Sequence, residues 1–352
     1  MNHPPRPPRR PDRLTWRHAL GALAAALIVQ GCATPPPPAA EPEPPPPPRE
    51  TIVIGQDKDF TIVVVQRGED LASLAQRYLG DAKKSWWIAE FNGIDRVQAG
   101  QEVVIPLRAR NPYGVYASGF QTVPILCYHR FGPNRSAMTL TAQSFEAQME
   151  YLARNGYRVI PMRELARFLE GKEPLPKKTV VITIDDGYRA TYQIAYPILK
   201  KYGFPATVYL YSDFAGAGDA MTWPQMQEMV RSGLVEIQPH SKTHSNLTIK
   251  LPGETDAKYA ERIRREIEAP VAAINERLSL ASFSYAYPYG DMNDMVSDLL
   301  ARQGVRLGVT VTPGGNGFFA PPHMVRRTMI YGTEDLDAFK SKLATFVRTA
   351  SR

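Results

Sequence analysis

The run from Lys178 to Gly187, KTVVITIDDG, constrains the fold of this 352-residue chain more than any other stretch. Val180, Val181, Ile182, Thr183 and Ile184 are β-branched in succession, a continuous pattern that suits a parallel strand covered on both faces. The run stops at two carboxylates and a glycine. In α/β folds substrates are handled at the carboxyl ends of parallel strands, so Asp185 and Asp186 stand where chemistry is usually done. Adjacent strand residues point to opposite sides, which allows two neighbouring carboxylates separate tasks. Taken alone, Asp186-Gly187 also reads as an ordinary turn, and a second feature is needed to choose.

That feature lies downstream. His240-Ser241-Lys242-Thr243-His244 follows another apolar strand, and histidines four apart lie on one face of a helical turn, near enough for both imidazoles to reach one ion. Two His and one Asp make three ligands with a fourth position left to water, the composition of a catalytic metal site rather than a structural one. Around these anchors strands and helices alternate. Strands are expected at 123–128, 157–160, 180–184, 206–211, 234–238, 283–286 and 307–311. Helices are expected at 144–154, 162–170, 188–202 with an interruption at Pro197, 224–232, 256–278, 292–303 and 335–347. The informative residues always follow strands, which argues for an α/β domain over 122–352 built as a distorted or incomplete (β/α) barrel.

The N-terminus reads differently. Arginines up to Arg17, an apolar core from Ala19 to Val29 and then Gln30-Gly31-Cys32 make an export signal over residues 1–31, too short in its apolar part to span a bilayer as a helix. Its end resembles a bacterial lipobox, in which the cysteine is lipidated and becomes the mature N-terminus; cleavage at a nearby site is the other reading. With Cys32 lipidated, Cys127 is the only thiol left. Residues 35–48 hold ten prolines in fourteen positions, a polyproline II spacer within a tether over 32–58. Of the formal charge of +7, four units lie in the first 31 residues, and no basic run interleaves with aromatics, so a nucleic-acid partner is not expected.

Residues 59–108 form a small patterned unit. A strand at 61–65 is broken by Gly68-Glu69-Asp70, which caps a helix at 71–79; a second helix at 86–92 ends on Asn92-Gly93, and a strand follows at 102–105. This βααβ order resembles a LysM module, carried by RGEDLASLAQRYLGD (67–81), IAEFNGI (88–94) and AGQEVVIP (99–106). The resemblance implies binding of N-acetylglucosamine-containing glycans such as peptidoglycan or chitin, at the loops around 68–71 and 92–95. Trp86 and Trp87 read as core and interface aromatics, and 109–121 as a turn-rich linker.

TIDDG (183–187) and HSKTH (240–244) together resemble the polysaccharide deacetylase family with the NodB homology domain, carbohydrate esterase family 4, and YPYG (287–290) matches its third motif in part. The resemblance covers about 123–347. It implies metal-dependent hydrolysis of N-acetyl groups, with Asp186, His240 and His244 binding a divalent metal, usually Zn2+. It further implies Asp185 as general base toward the attacking water and the backbone N–H of Tyr289 as an oxyanion donor. Two departures stand out. Ala286 occupies the position where the family often has an arginine orienting the catalytic aspartate, and the family's general-acid histidine is not evident near the C-terminus. Four histidines follow the leader, so with His240 and His244 as ligands the proton donor is His129 at a strand end, His323 in an irregular loop, or water. His129 is favoured.

VPILCYHRFG (123–132), AYPYG and GGNGFFAPPHMVRR (314–327) resemble the exopolysaccharide branch of the family, which acts on poly-N-acetylglucosamine-type polymers, whereas a LysM module suits peptidoglycan. Asn316, Phe318 and Phe319 line a sugar groove or simply pack in a turn. The expectation is an exported, lipid-anchored N-deacetylase of a GlcNAc-containing polysaccharide at the bacterial cell envelope, in the outer membrane or periplasm. The rival from another class is a non-catalytic cell-wall glycan-binding lipoprotein with a relic deacetylase domain. Retention of Asp185, Asp186, His240 and His244 argues against it.

Overall fold

The computed structural model describes residues 52–349; the export signal, Cys32 and the proline tract lie outside the described residues. The described chain enters on two antiparallel strands, β1 (Ile52–Gln56) and β2 (Phe60–Val64). Helices α1 (Leu71–Leu79) and α2 (Ser85–Asn92) follow, and β3 (Glu102–Pro106) returns beside β2. Strand β1 thus adds to the expected βααβ order. Asp70 caps α1 in a reciprocal box, accepting from the Ser73 amide at 2.7 Å while the Ser73 hydroxyl accepts from the Asp70 amide at 2.9 Å. Asn92 joins helix to sheet: its amide nitrogen donates to the Val104 carbonyl (2.7 Å) and its oxygen accepts from the Val104 amide (3.0 Å). A residue expected in a binding loop is therefore a structural pin. Val63, Leu74, Ile88, Val103 and Ile105 fill the small core beneath it.

The 109–121 stretch is not a free linker. Val115–Tyr116 and Gly119–Gln121 form a hairpin, and Phe346–Arg348 pairs antiparallel with its second arm. The helix expected at 335–347 accordingly covers only Leu336–Ser341. Thr345, Val347 and Thr349 alternate as β-branched residues, and the ring of Phe346 packs on Tyr116 at 5.8 Å, so sheet pairing wins over continuation of the helix.

The larger part of the molecule is α/β. Strands β4 (Val123–Tyr128), β5 (Thr179–Ile184), β6 (Ala206–Leu210) and β7 (Val235–Pro239) are parallel and lie side by side in that order. Strands β8 (Ser284–Ala286) and β9 (Leu307–Val309) form a separate parallel pair, and β10 (Thr328–Met329) lies parallel on the free side of β4. Helices α3 (Ala142–Arg154), α4 (Met162–Leu169), α5 (Tyr196–Tyr202), α6 (Trp223–Arg231), α7 (Asp256–Leu278) and α8 (Asp294–Arg302) alternate with them. The interruption expected in 188–202 is a π-helical turn, Thr191–Ala195, that precedes Pro197 in the first turn of α5. Hydrogen bonding does not close a barrel among the described residues. Between β7 and β8 the Gln238 side-chain oxygen stands in for a ladder, accepting from the amides of Phe283 (3.0 Å) and Ser284 (3.1 Å). Between β9 and the segment before β10 there is one bridge, Val309 to Val325.

Every residue of β5 is buried, and alternation divides the strand between two cores. Val180, Ile182 and Ile184 join Leu126, Phe145, Leu199 and Met226, whereas Val181 joins Val123, Ile125, Leu165 and Phe168. The β-branched run is thus covered on both faces, and its carboxyl end opens where the carboxylates begin.

Candidate active site

Strand β5 makes its last ladder bond from the Asp185 amide to the Tyr128 carbonyl (2.8 Å), and the backbone then turns left-handed at Asp186 (φ 73°) and Gly187 (φ 88°). The left-handed backbone favours glycine at 187, and a Cβ there would lie 2.5 Å from Leu210 Cδ1, so that side chain would have to move. The turn also undoes the strand alternation. Asp185 Oδ2 lies 3.9 Å and Asp186 Oδ1 3.7 Å from the same His240 Nε2, so the two carboxylates converge instead of diverging.

His240 directly follows β7, and its buried ring is fixed by a 2.7 Å hydrogen bond from Nδ1–H to the Ala286 carbonyl. A carbonyl only accepts, so the Nε2 lone pair is left facing the aspartates. Burial pushes the pKa of this imidazole down, which favours the neutral ligand form. His244 reaches the same place by a route the spacing did not indicate. Residues 240–244 are not helical; Ser241 (φ 75°) and His244 (φ 63°) are left-handed, and this loop rather than a helical face brings the two rings to 4.9 Å. Buried Glu266 on α7 shapes the loop. Its carboxylate accepts from the amides of Lys242 (3.0 Å) and Thr243 (2.9 Å) and from the Thr243 hydroxyl (2.7 Å). His244 Nε2 then sits 3.2 Å from Asp186 Oδ1. Burial disfavours charge on His244, but that aspartate outweighs it and raises the pKa.

The arginine absent at 286 is supplied from elsewhere. Arg327, fully buried just before β10, donates from Nη1 to Asp185 Oδ1 (2.6 Å) and from Nη2 to Asp185 Oδ2 (2.8 Å). Its Nε donates to the Thr310 carbonyl at 2.9 Å. Burial alone would raise the Asp185 pKa, but the Arg327 guanidinium, with His240 next, holds the carboxyl well below the usual range and keeps it ionised. Asp185 is therefore not left unsupported by Ala286. Burial alternates here: Val325 and Arg327 are buried and Arg326 between them is exposed, so the period of two turns the arginine inward.

His129 places Nε2 3.9 Å from Asp185 Oδ2, and the Cys127 thiol lies 3.5 Å from the same oxygen. His323 is not at the site. Its ring is engaged by the Ser297 hydroxyl at Nδ1 (2.8 Å) and the Val305 carbonyl at Nε2 (3.0 Å), near the amino end of β9. Tyr289 heads a left-handed turn (φ 63°) whose exposed ring meets His244 edge-on at 5.0 Å. Asn316, in contrast, is buried and spends its amide on the carbonyls of Val123 and Arg326. Phe318 and Phe319 pack on Tyr113 and Phe120. Among the described residues the non-glycine left-handed positions are Asn111, Asp186, Ser241, His244, Ser279 and Tyr289, and four of these six ring this one site. Strain of that kind persists where the surrounding structure over-determines it.

The ligand-type atoms of Asp186, His240 and His244 all lie within 4.8 Å of one another. A carboxylate oxygen and two imidazole nitrogens, one with its tautomer fixed by a carbonyl, suit a divalent ion of the zinc type. The ligand-type atoms of Cys127, His129 and Asp185 likewise lie within 4.8 Å of one another. They fit less well: burial pushes the Cys127 pKa well above its usual range, and Asp185 is already engaged by Arg327. The α/β domain thus brings a carboxylate–histidine–histidine trio able to hold a divalent ion to its strand ends, beside an arginine-held aspartate placed to act on a water.

Known proteins resemble this chain over the part that carries the site. Residues 172–308 match the polysaccharide deacetylase family model. YxkH of Bacillus subtilis (strain 168), which bears the polysaccharide deacetylase name, is 31% identical over 192 residues, covering 54% of this chain and 65% of the relative. The poly-beta-1,6-N-acetyl-D-glucosamine N-deacetylase of Escherichia coli (strain K12) is 26% identical over 211 residues, 50% of this chain and 31% of the relative. The match thus spans less than two thirds of the length of either curated relative. Among solved structures, the Streptococcus pyogenes deacetylase PplD in complex with acetate aligns with a TM-score of 0.58 and 25% identity, over 63% of this chain and 98% of that one.

Proposed function

We propose that this chain hydrolyses N-acetyl groups of a poly-β-1,6-linked N-acetylglucosamine polysaccharide, releasing acetate and leaving a free amine on the sugar. The observation that carries the reading is the trio Asp186, His240 and His244 beside an aspartate clamped by Arg327. Asp186 through Oδ1, with His240 and His244 through Nε2, would hold a divalent ion. When bound, such an ion supplies Lewis-acid polarisation of a carbonyl and acidifies water.

The side chains supply the rest. Asp185, kept ionised and oriented by Arg327, accepts a proton from the water that attacks the acetamide carbon. The Tyr289 amide, in the left-handed turn whose ring meets His244, donates to the oxygen that gains charge. As the C–N bond breaks, His129 gives a proton to the departing nitrogen, and the oxygen from water leaves in acetate. His129 suits this role because its Nε2 faces Asp185 at 3.9 Å, whereas both ring nitrogens of His323 are engaged elsewhere.

The substrate class is supported by the name of the Escherichia coli relative. The same reading takes 59–108 as a LysM-type glycan-binding unit and 122–352 as the deacetylase domain. It takes 1–31 as the export signal, 32–58 as a tether, and lipid on Cys32 as the anchor to the bacterial envelope. Acetate release measured in parallel on poly-β-1,6-N-acetylglucosamine and on peptidoglycan tests it. Release from the former, falling about 1,000-fold in Asp185→Asn, is expected. No release, or release that survives Asp185→Asn, sinks the deacetylase reading, and release from peptidoglycan alone overturns the substrate.

A further inference from the structure

An unbroken series of aromatic rings leaves the trio on one side. Tyr289 meets His244 edge-on at 5.0 Å, and His244 meets Tyr211 at 5.3 Å. Tyr211 stacks on Phe214 at 4.9 Å and 7°, and Phe214 meets Tyr188 edge-on at 5.3 Å. The series ends in a depression of about 240 Å³ lined by Arg130, Tyr188, Gln193 and Asp219. There the Arg130 guanidinium lies 3.7 Å over the Tyr188 ring, with Nη1 3.5 Å from Asp219 Oδ2. Tyr211, Phe214, Tyr188, Arg130, Gln193 and Asp219 have no part in the proton transfers at Asp185 and His129.

The depression is built into the turn that carries the carboxylates. Met221 N–H donates to the Gly187 carbonyl (2.9 Å), Arg189 N–H to the Asp219 carbonyl (2.6 Å), and Arg189 Nη2 to the Gly218 carbonyl (2.6 Å). The segment bearing Phe214 and Asp219 is thereby tied to residues 187–189. The Arg130–Asp219 pair is largely solvent-exposed, so its attraction is weak and both groups are available to a ligand. Aromatic rings beside a guanidinium, an amide and a carboxylate complement a sugar, which has apolar C–H faces and a polar edge of hydroxyls and acetamide.

We propose that this depression binds the sugar unit neighbouring the one whose acetamide is hydrolysed, so that the polysaccharide lies along the ring series from Tyr289 to Tyr188. The proposal rests on the deacetylase reading and adds to it a built preference for polymer over isolated acetyl groups.

Its test compares kcat/KM for a β-1,6-linked N-acetylglucosamine pentamer with that for 4-nitrophenyl acetate, which has no sugar. The proteins are wild type, Tyr188→Ala, Gln193→Ala and Asp219→Ala. The pentamer-to-ester ratio is expected to fall about ten-fold in Tyr188→Ala and about three-fold in each of the others, through the KM of the pentamer. Gln193 and Asp219 are exposed, so their variants report even where Tyr188→Ala does not fold. A ratio unchanged in all the folded variants overturns the proposal. If wild type releases no acetate from the pentamer, the deacetylase reading fails on its own account. Calorimetric titration of the pentamer into the same proteins then decides this proposal, weaker binding by the variants supporting it and equal binding overturning it.

Discussion

Buried ion pairs gain or lose by their geometry, and in the pair of Arg327 with Asp185 two guanidinium nitrogens meet two carboxylate oxygens out of reach of solvent. Removing either partner leaves an uncompensated charge inside the protein. Arg327→Ala should therefore lower stability by about 3–5 kcal/mol and reduce kcat about 100-fold or more. Arg327→Lys keeps the charge but not the two-pronged geometry, and should restore much of the stability but little of kcat. Denaturant melts with steady-state kinetics check both, and equal recovery of the two quantities would contradict an orienting role. Glu266 acts at one remove, through the amides of Lys242 and Thr243. Glu266→Ala should weaken zinc binding about 10- to 100-fold by calorimetry, with acetate release recovering at high zinc. Unchanged affinity would leave Glu266 as a packing residue only.

At the scale of elements, what could be read in advance was whatever is local. Five β-branched residues gave β5 its strand, its burial and its terminal carboxylates, and the apolar-strand-then-histidine pattern marked the end of β7. Conformations imposed by tertiary contacts were not legible. Histidines four apart look helical until Glu266, 23 residues away, captures the loop and leaves Ser241 and His244 left-handed. Arg327 contacts a partner 142 residues distant, and in sequence it is indistinguishable from exposed Arg326 beside it. The C-terminal segment shows the same competition. Its β-branched alternation found a partner in Gly119–Gln121, where a Cβ on Gly119 would approach the Val347 carbonyl oxygen to 2.0 Å. Gly119→Ala should dislodge the Phe346–Arg348 strand, lowering Tm by about 2–6 °C with earlier hydrogen exchange confined to 346–348. An unaltered melt would mean that this pairing contributes nothing.

At the scale of the whole α/β domain, the parallel strands deliver the groups of the proposed site to one end. Asp185 and Asp186 follow β5, His129 follows β4, His240 follows β7 and Tyr289 follows β8, with His244 and Arg327 brought in by loops. On the proposed function, activity should depend jointly on the trio and on Asp185. The two dependences can be separated, because Asp186→Ala removes a ligand while Asp185→Asn leaves the trio intact. The decisive measurement is acetate release from poly-β-1,6-N-acetylglucosamine by chelator-treated protein as zinc is restored, with bound zinc counted in the same samples. Release should be abolished by the chelator and return in proportion to zinc, reaching its full value at about one ion per chain. Asp185→Asn should bind that ion and stay inactive, and Asp186→Ala should bind it weakly. Release that persists in metal-free protein, or full activity in Asp186→Ala, would contradict the account.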